Sequence, residues 1–539
     1  MPEPLDPKAP VVIAPERGPL PRREFLRRVA AAGAAGAVGT LAASLEKARA
    51  GAPPEEWTTS FPDGIKSGDP QPHGSVLWTR IQAPPDGRPV PVVWSVSEDP
   101  DVAAVVRGGV AWARSGAGHT VKVRVDSLRP DRWYYYRFEA AGASSVVGRL
   151  RTSPDPTIVP NRLRYAFASC QQRTASHYVA HRAIMNEGVD FWMHLGDYIY
   201  VHDSADLTLE NYRNRYRLFQ SNPLLQELQA KVPIVAMWDD GEFYNGVDRT
   251  GDPIRLEAAR TAWFENMPVQ RPRRDRVYRS FRWGRLADVI MIDVRSYRDP
   301  EVPANVPLFG SLEGQDSRTP PSDQMFAPGR TTLGARQKRW LKGRLRHSRA
   351  NWRLIGNPYN INPWRVSDLD TPQGRIDNPN FRQNEGIYVS NEAWDDYQLE
   401  RREITEMLAR YQIPNVVFTS GHTHIYLASE LMPDFDDATS PVVAFDFTTG
   451  SLTADPDPLT IAPIELLRAA EQIMIAANNP YLKHVDILRQ GYAIVDVTPE
   501  ECIVEFRAID TFDPDAEPYT SARFRVVSGG DELEVLYLA

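Results

Sequence analysis

Short apolar runs alternate with helical patterns between residues 163 and 422, and this alternation restricts the fold more than any other feature of the chain. Strands that alternate with helices in this way build a layered α/β domain. The predicted strands, several with the loop that follows them, cover residues 163–170, 190–200, 232–240, 287–293, 353–357 and 415–422, and the helical patterns lie at 177–186, 332–346 and 394–411.

A different pattern fills residues 56–155, where short β-branched or aromatic runs are separated by turn sequences such as those at 84–87 and 129–131. Their spacing predicts a small antiparallel β-sandwich of ~100 residues. The aromatic run after residues 129–131 is similar to the corner tyrosine of fibronectin-type modules. We therefore expect a sandwich domain at 56–155 and a larger second domain at 160–539.

Residues 1–50 are typical of an export signal. Arg22 and Arg23 lie in a basic stretch, an uncharged run rich in Ala and Gly covers residues 29–45, and residues 48–50 offer a cleavage site. The Arg pair resembles a twin-arginine signal. This pattern predicts export by the twin-arginine machinery to the periplasm or the medium, whereas a surface helix with a basic end is the alternative.

The overall composition excludes several classes of function. The net charge of −8 does not favour a nucleic-acid-binding surface, which needs a basic face. No run approaches the ~18 consecutive strongly apolar residues of a membrane span. Cys170 and Cys502 are the two cysteines of the chain, and one disulfide between them is conceivable, but they form no disulfide framework.

Four of the predicted strands end in residues that bind metal ions. The first ends at Cys170, the second at Asp197 and Tyr200, the third at the pair Asp239-Asp240 followed by Asn245, and a late strand at His422 and His424. In open α/β sheets, reacting groups lie just beyond the carboxyl ends of strands. A thiolate, a phenolate, carboxylates, an amide and imidazoles at one sheet edge predict a dinuclear metal centre.

Each of these residues also has an ordinary structural explanation. Asp197 could cap a helix, Cys170 could be a buried core thiol, and the two histidines could be hydrogen-bonded or solvated. Their joint occurrence at strand ends favours the metal centre over these separate explanations.

The Arg pair is followed along the chain by a series of motifs: GIKSGDP at 64–70, VLWTR at 76–80, FASCQ at 167–171, HLGDYIY at 194–200, WDD at 238–240, IDVRSYR at 292–298, LGARQ at 333–337 with WL at 340–341, and WDDY at 394–397. This ordered combination resembles the alkaline phosphatase D family of metallophosphoesterases. The resemblance implies an α+β fold in which an N-terminal antiparallel β-sandwich (fibronectin-like) is followed by a four-layer αββα metallophosphoesterase domain. It also implies hydrolysis of phosphate mono- and diesters, with iron bound to a tyrosinate.

The resemblance assigns the ligands by motif. Cys170, Tyr200 and His424 would hold Fe³⁺, and Asp197 would bridge to a second divalent cation. Asn245 is similar to the family's asparagine ligand for that cation, with Asp240 as a second candidate. Ca²⁺ is the second cation expected from the resemblance, and hard oxygen ligands favour Ca²⁺ or Mg²⁺.

Two positions depart from the family pattern. Asp-Asp-His-Glu is usual where this chain has Asp239-Asp240-Gly241-Glu242, so the expected leaving-group acid or phosphate contact is absent. Gly-Asp-x-His is usual where this chain has a histidine at position 422. A nitrogen ligand there would make the second site softer and would allow Zn²⁺ or Mn²⁺.

These residues predict an exported phosphoesterase that acts on small or polymeric phosphate esters. Two cations roughly 3.5–4 Å apart activate a water as hydroxide for in-line attack on phosphorus. Asp240, Asn245 and Arg295 are the expected catalytic residues, with a strand-end salt bridge as the alternative for Arg295. Gly241 favours a catalytically impaired surface-binding protein as the rival function, and a one-iron tyrosinate oxidoreductase is a further rival.

Overall fold

The computed structural model of the chain describes residues 58–172, 177–201, 208–270, 276–302, 323–368, 386–388, 393–437, 439–454, 468, 471 and 479–539. The predicted export signal at residues 1–50 lies outside this part of the chain. No helix within the described residues combines the length and the apolar character that crossing a membrane requires.

The elements follow one another in this order. The strands are β1 (Ile65–Gln71), β2 (Gly74–Arg80), β3 (Val90–Ser97), β4 (Val105–Ala113), β5 (Thr120–Val125), β6 (Trp133–Ala140), β7 (Ala143–Ser144), β8 (Gly148–Arg151), β9 (Leu163–Ala168), β10 (Phe191–His194), β11 (Ile234–Ala236), β12 (Arg279–Trp283), β13 (Ala287–Met291), β14 (Trp352–Tyr359), β15 (Arg365–Asp368), β16 (Gly386–Tyr388), β17 (Val416–Gly421), β18 (Tyr426–Leu431), β19 (Ala444–Thr448), β20 (Leu482–Asp486), β21 (Gly491–Val497), β22 (Glu501–Ala508), β23 (Tyr519–Val527) and β24 (Glu534–Leu538). The helices are α1 (Val179–Asn186), α2 (Leu209–Gln220), α3 (Pro223–Lys231), α4 (Pro253–Asn266), α5 (Gly334–His347) and α6 (Gln398–Arg410), with 3₁₀ turns at Ser115–Ala117, Asp323–Phe326 and Trp394–Tyr397.

The chain divides into two compact units. The first contains Met1–Asp155, Leu209–Val235 and Arg260–Arg276, and the second contains Pro156–Thr208, Ala236–Ala259 and Val277–Ala539. The sequence predicts a single boundary near residue 155 and places residues 209–235 and 260–276 in the second domain. The compact units instead place both segments with the N-terminal strands.

The first unit is built mainly from antiparallel strands, although β1 also pairs in parallel with the start of β11. One sheet has the order β4-β3-β6-β7, with β8 also paired to β6, and β1, β2 and β5 are neighbours in another. Ile65 and Leu77 from one sheet and Val92 and Tyr136 from the other belong to one buried apolar cluster, as expected for a sandwich. The predicted corner is present, because the Tyr134 hydroxyl accepts the Arg129 N–H at 2.9 Å.

Helix α3 explains why the second segment joins this unit. Pro223 occupies its first turn, and the Asn222 side chain caps it by accepting the N–H groups of Leu224 and Leu225. Ala230, near the end of the helix, lies in the same apolar cluster as the sandwich strands. The sequence pattern does not show which strands the apolar side of this helix covers.

The second unit contains two sheets. One has the order β24-β23-β22-β21-β9-β10 and the other has the order β12-β13-β14-β17-β19-β18-β20. The sheets face each other closely: Gly356 on β14 packs where a Cβ atom would lie 2.7 Å from the sulfur of Met193 on β10. The Thr419 hydroxyl of β17 also contacts the Met193 sulfur, at 3.6 Å.

Helices cover the outer faces of these two sheets. His181 of α1 packs edge-on against Trp192 of β10, with ring centroids 6.3 Å apart. Leu341 of α5 and Leu408 of α6 belong to the buried cluster that contains Ile355 of β14. This layering of helix, sheet, sheet and helix confirms the predicted α+β class.

Candidate metal centre

The carboxyl ends of parallel strands meet at one edge of the second unit. β9 and β10 run in parallel, with Ala168 opposite His194, so Cys170 and Asp197 follow neighbouring strand ends. The loops are joined directly, since the Cys170 N–H donates to the Gly196 carbonyl at 3.2 Å. β17 ends at the same edge and leads into His422.

A first group of donors gathers Cys170, Asp197 and His424, whose ligand atoms all lie within 4.8 Å of one another. The Cys170 sulfur is 3.4 Å from Asp197 Oδ2. The Tyr200 hydroxyl adjoins this group, 3.2 Å from His424 Nε2. The resemblance assigns the thiol, the phenol and the imidazole of this group to iron and the Asp197 carboxylate to the bridge.

A second group shares Asp197 with the first. Ligand atoms of Asp197, Asp239, Asp240 and His422 also lie within 4.8 Å of one another. One carboxylate common to two overlapping donor groups has the arrangement that a bridging ligand requires. Both groups fit metal ions by their chemistry: one is rich in sulfur, phenol and nitrogen donors, and the other in carboxylate oxygen.

The backbone at these residues is unusual. Cys170, Asp197, His422 and His424 all adopt the left-handed region, with φ of 60°, 57°, 71° and 58°. Non-glycine residues rarely occupy this region, and such residues cluster at functional sites. The strand ends therefore turn sharply at the positions that carry the candidate ligands.

Glu242 ties two of these loops together. Its carboxylate is fully buried and accepts N–H bonds from Asp197 at 2.9 Å, Tyr198 at 2.8 Å and Asp239 at 2.9 Å. Burial raises the pKa of Glu242 to about 8, although the three N–H donors oppose this rise. Glu242 thus fixes the backbone that carries Asp197 and Asp239.

Arg295 lies behind the second donor group. Its guanidinium forms a fork on Asp239, with Nε 2.5 Å from Oδ1 and Nη2 3.1 Å from Oδ2. It also lies 3.3 Å from His422 Nδ1 and 3.6 Å from Asp240 Oδ2, and its other face covers the Tyr359 ring at 4.8 Å. Arg295 is 1% exposed, so it holds the ligands in place rather than facing solvent.

Gly241, one of the two positions that depart from the family pattern, has little space for a side chain. The Gly241 N–H donates to Asp197 Oδ1 at 2.9 Å. A Cβ atom on Gly241 would lie 2.7 Å from that oxygen and 2.7 Å from the Ile199 carbonyl oxygen. Glycine here permits a backbone donor to approach the shared carboxylate directly.

Asn245 differs from the other predicted ligands. It is exposed and lies in the turn after Glu242, where the neighbouring Gly246 N–H donates to Asp240 Oδ2 at 3.3 Å. The structure therefore brings together Cys170, Asp197, Tyr200, Asp240, Arg295, His422 and His424, and Asn245 is exposed in the loop that follows Asp240.

The electrostatics are those of a crowded acidic site. Burial, together with Cys170, Asp240 and Asp239, raises the pKa of Asp197 well above its usual range. Burial also raises the pKa of Cys170 and of Tyr200. Burial works against ionisation of Asp239, but Arg295 and His422 lower its pKa below the usual range. Cations at these positions would offset the repulsion among the buried acids.

Comparison with known proteins identifies the family. A family model described as PhoD-like phosphatase matches residues 165–506, which is more than half of the chain. The chain belongs to the PhoD-like phosphatase family. The N-terminal domain model of the same family matches residues 46–154. Membership of this family makes the chain a phosphoesterase of the hydrolase class.

Two relatives of this PhoD-like phosphatase extend the match over nearly the whole chain. Alkaline phosphatase D of Bacillus subtilis (strain 168) is 30% identical over 522 residues, which cover 90% of this chain and 84% of the relative. A solved structure described as PhoD is 28% identical, covers 90% of this chain and 94% of its own, and superposes with a TM-score of 0.76. These matches confirm the resemblance that the motifs predict.

Sequence reasoning missed the residues that support the ligands. Glu242 belongs to the motif that ends the third strand, but nothing in its spacing assigns it to the backbone of the neighbouring loop. Tyr359 gave no sequence signal, because its contact with Arg295 joins the end of β14 to the loop after β13. Cys170 and Cys502 are both buried free thiols, so the conceivable disulfide is not formed.

Proposed function

We propose that this PhoD-like phosphatase is an exported, metal-dependent phosphoesterase that hydrolyses phosphate monoesters and diesters. The observation that carries the proposal is Asp197, whose carboxylate belongs to both donor groups. A shared carboxylate between a thiol-phenol-imidazole group and a carboxylate-rich group suits two unlike cations.

Cys170, Tyr200 and His424 would hold Fe³⁺, and Asp197 would bridge to the second cation. Asp239, Asp240 and His422 lie on the second side, where Ca²⁺ suits the carboxylates and Zn²⁺ or Mn²⁺ suits the imidazole. Bound there, the cations would supply Lewis acidity toward water and the phosphoryl oxygens.

The surrounding residues prepare the site for this chemistry. Arg295 orients Asp239 and His422 and compensates the negative charge of the Asp pair. Glu242 and the Gly241 N–H fix the loop and the shared carboxylate. Asn245, which is exposed in the Asp240 loop, would meet the incoming ester, either as a ligand of the second cation or as a donor to a phosphoryl oxygen.

Colour, metal content and activity test the proposal together. Protein exported by its native host should show a visible tyrosinate-to-iron absorption band, contain a second metal and hydrolyse an aryl phosphate diester. Tyr200→Phe should remove the band, and Asp197→Asn should lose both metals and reduce turnover at least ~10³-fold. Tyr165→Phe is the matched control, because Tyr165 is buried on β9 outside both donor groups.

Gly241 favours the rival function, a surface-binding protein with impaired catalysis. That function predicts a colourless protein without metals that leaves the diester intact. An iron-tyrosinate oxidoreductase predicts one iron and no second metal, which the second donor group argues against. Replacement of Arg22 and Arg23 by lysine tests export, since it should retain the precursor inside the cell if the twin-arginine route is used.

A further inference from the structure

A surface pocket of about 400 Å³ lies between the start of β13 and the second half of α5. Arg282, Asp288, Arg339, Trp340, Gly343 and Arg344 line it. Asp288 precedes Asp293 by five residues, and five residues of extended chain span roughly 16 Å. The pocket is therefore separate from the candidate metal centre, where Arg295 follows the end of β13.

The charge of this pocket is positive in a chain whose net charge is −8. Its one carboxylate, Asp288, is buried and already compensated, because it accepts a bond from Arg282 Nε at 3.2 Å and another from the Ser348 hydroxyl. Arg339 and Arg344 are exposed, and neither forms an ion pair in the described part of the chain. Two guanidinium groups thus remain available to an anion from solvent.

The helix residue at the floor of the pocket has no packing reason to be glycine. A Cβ atom on Gly343 would meet nothing within 4 Å, and Gly343 lies in the interior of α5. Glycine there weakens a helix relative to alanine. The absent side chain leaves the space between Arg339 and Arg344 open.

The helix dipole explains part of this basic cluster but not all of it. Arg344 and His347 lie in the last turn of α5, where cations are favourable. Arg339 lies more than a turn earlier, and Arg282 comes from β12. These two side chains reach the same pocket from different elements, so the dipole alone does not account for their convergence.

We propose that this pocket binds a phosphate group at a site distinct from the catalytic centre. Planar guanidinium groups recognise phosphate oxygens in pairs, and the open floor at Gly343 admits the anion. Free orthophosphate and a phosphate of a longer molecule share this chemistry. The inference concerns binding alone and does not depend on turnover at the metal centre.

The test uses the full chain treated with a chelator, so that no cation at the metal centre contributes to binding. Isothermal titration calorimetry measures orthophosphate and, separately, inorganic polyphosphate. The double variant Arg339→Ala/Arg344→Ala should weaken binding at least ~10-fold. Arg346→Ala/Arg349→Ala removes the same charge from the same region outside the pocket and should change affinity less than ~2-fold.

Gly343 gives a second pair of variants that is insensitive to misfolding. Gly343→Ala should fold at least as well as the natural chain and keep binding, whereas Gly343→Glu places a carboxylate in the pocket and should abolish it. Hydrolysis of a small aryl diester by the metal-loaded variants should stay unchanged, since none of these residues belongs to the metal centre.

The two probes separate the sources of the phosphate. Orthophosphate binding that depends on Arg339 and Arg344 supports a site for the free anion, and dependence seen with polyphosphate alone supports a phosphate of a longer molecule. The proposal is overturned if neither probe binds, or if the pocket variants and the control variants lose affinity equally, which would indicate diffuse charge attraction.

Discussion

Removing the bidentate ion pair between Arg295 and Asp239 should change protein stability by an amount that depends on whether metal ions are bound. Both side chains are 1% exposed. Removing one partner of a buried ion pair costs about 3–5 kcal/mol, because the other charge is left uncompensated. We expect Arg295→Met to lower the stability of chelator-treated protein by that amount.

Cations at the second donor group should change this result. Asp239 and Asp240 would then face a positive charge without the guanidinium, so the loss on replacing Arg295 should fall below about 2 kcal/mol. The effect of the substitution should therefore be smaller in metal-loaded protein than in chelated protein. A structural ion pair with no relation to metal binding does not have this property.

Urea denaturation, with and without chelator, measures the difference. Because the urea dependence of unfolding grows with chain size, a chain of 539 residues should exceed the about 1–3 kcal/mol/M of small proteins, and the loss in chelated protein should shift the midpoint by roughly 0.5–1 M. Arg401→Met is the matched control, since Arg401 Nη1 forms an equally buried pair with Asp395 at 2.6 Å away from the donor groups. The control should shift the midpoint equally in both states. Equal shifts for Arg295→Met in both states would refute the view that Asp239 and Asp240 face a cation.

Three further predictions concern residues near and far from the site. Gly241→Ala should reduce metal content and turnover and destabilise the protein by about 1–3 kcal/mol, because the new Cβ atom would lie 2.7 Å from the Ile199 carbonyl oxygen; metal analysis and urea midpoints check this. Glu242→Ala should lower metal affinity about 10–100-fold by releasing the loop that carries Asp197, with Glu406→Ala, an exposed position on α6, as the control in a metal competition titration. His484 is buried beside Phe506, and burial lowers its pKa to about 4 from 6.5. The folded state therefore disfavours protonation of His484, so stability that is present above pH 6.5 is lost as the pH falls toward 4. The expected loss between pH 7 and pH 5 is about 2 kcal/mol. His484→Gln should remove this part of the pH dependence, which urea midpoints measured across the same pH range would show.

The strand pattern predicted much of the fold because strand ends are local features. Apolar runs that stop before Cys170, Asp197 and His422 appear in the sequence, and parallel pairing brings such ends to one edge. The same pattern could not show that residues 209–235 pack with the sandwich, since that depends on which strands accept the apolar side of α3.

The candidate metal ligands could be recognised in the sequence, whereas the residues that hold them in place could not. Ligand chemistry is carried by residue type, so Cys170 and Tyr200 are recognisable in the sequence alone. Glu242 acts through backbone N–H groups, which every residue except proline possesses, and no sequence signal marks the ones it accepts. The exposure of Asn245 likewise depends on the direction of a turn rather than on its distance from the Asp pair.

The left-handed backbone at Cys170, Asp197, His422 and His424 has a consequence for how ions load. Each such non-glycine conformation costs roughly 1–2 kcal/mol, so arranging all of them costs several kcal/mol before any ion arrives. The free energy of folding offsets this conformational cost, because packing and the hydrogen bonds to Glu242 hold the loops in place. Binding of an ion then orders little additional backbone. The entropy of binding comes mainly from the water that the cation releases. A centre of this kind should exchange its ions without unfolding, and selectivity among cations should follow from fixed distances rather than from adaptation of the loops.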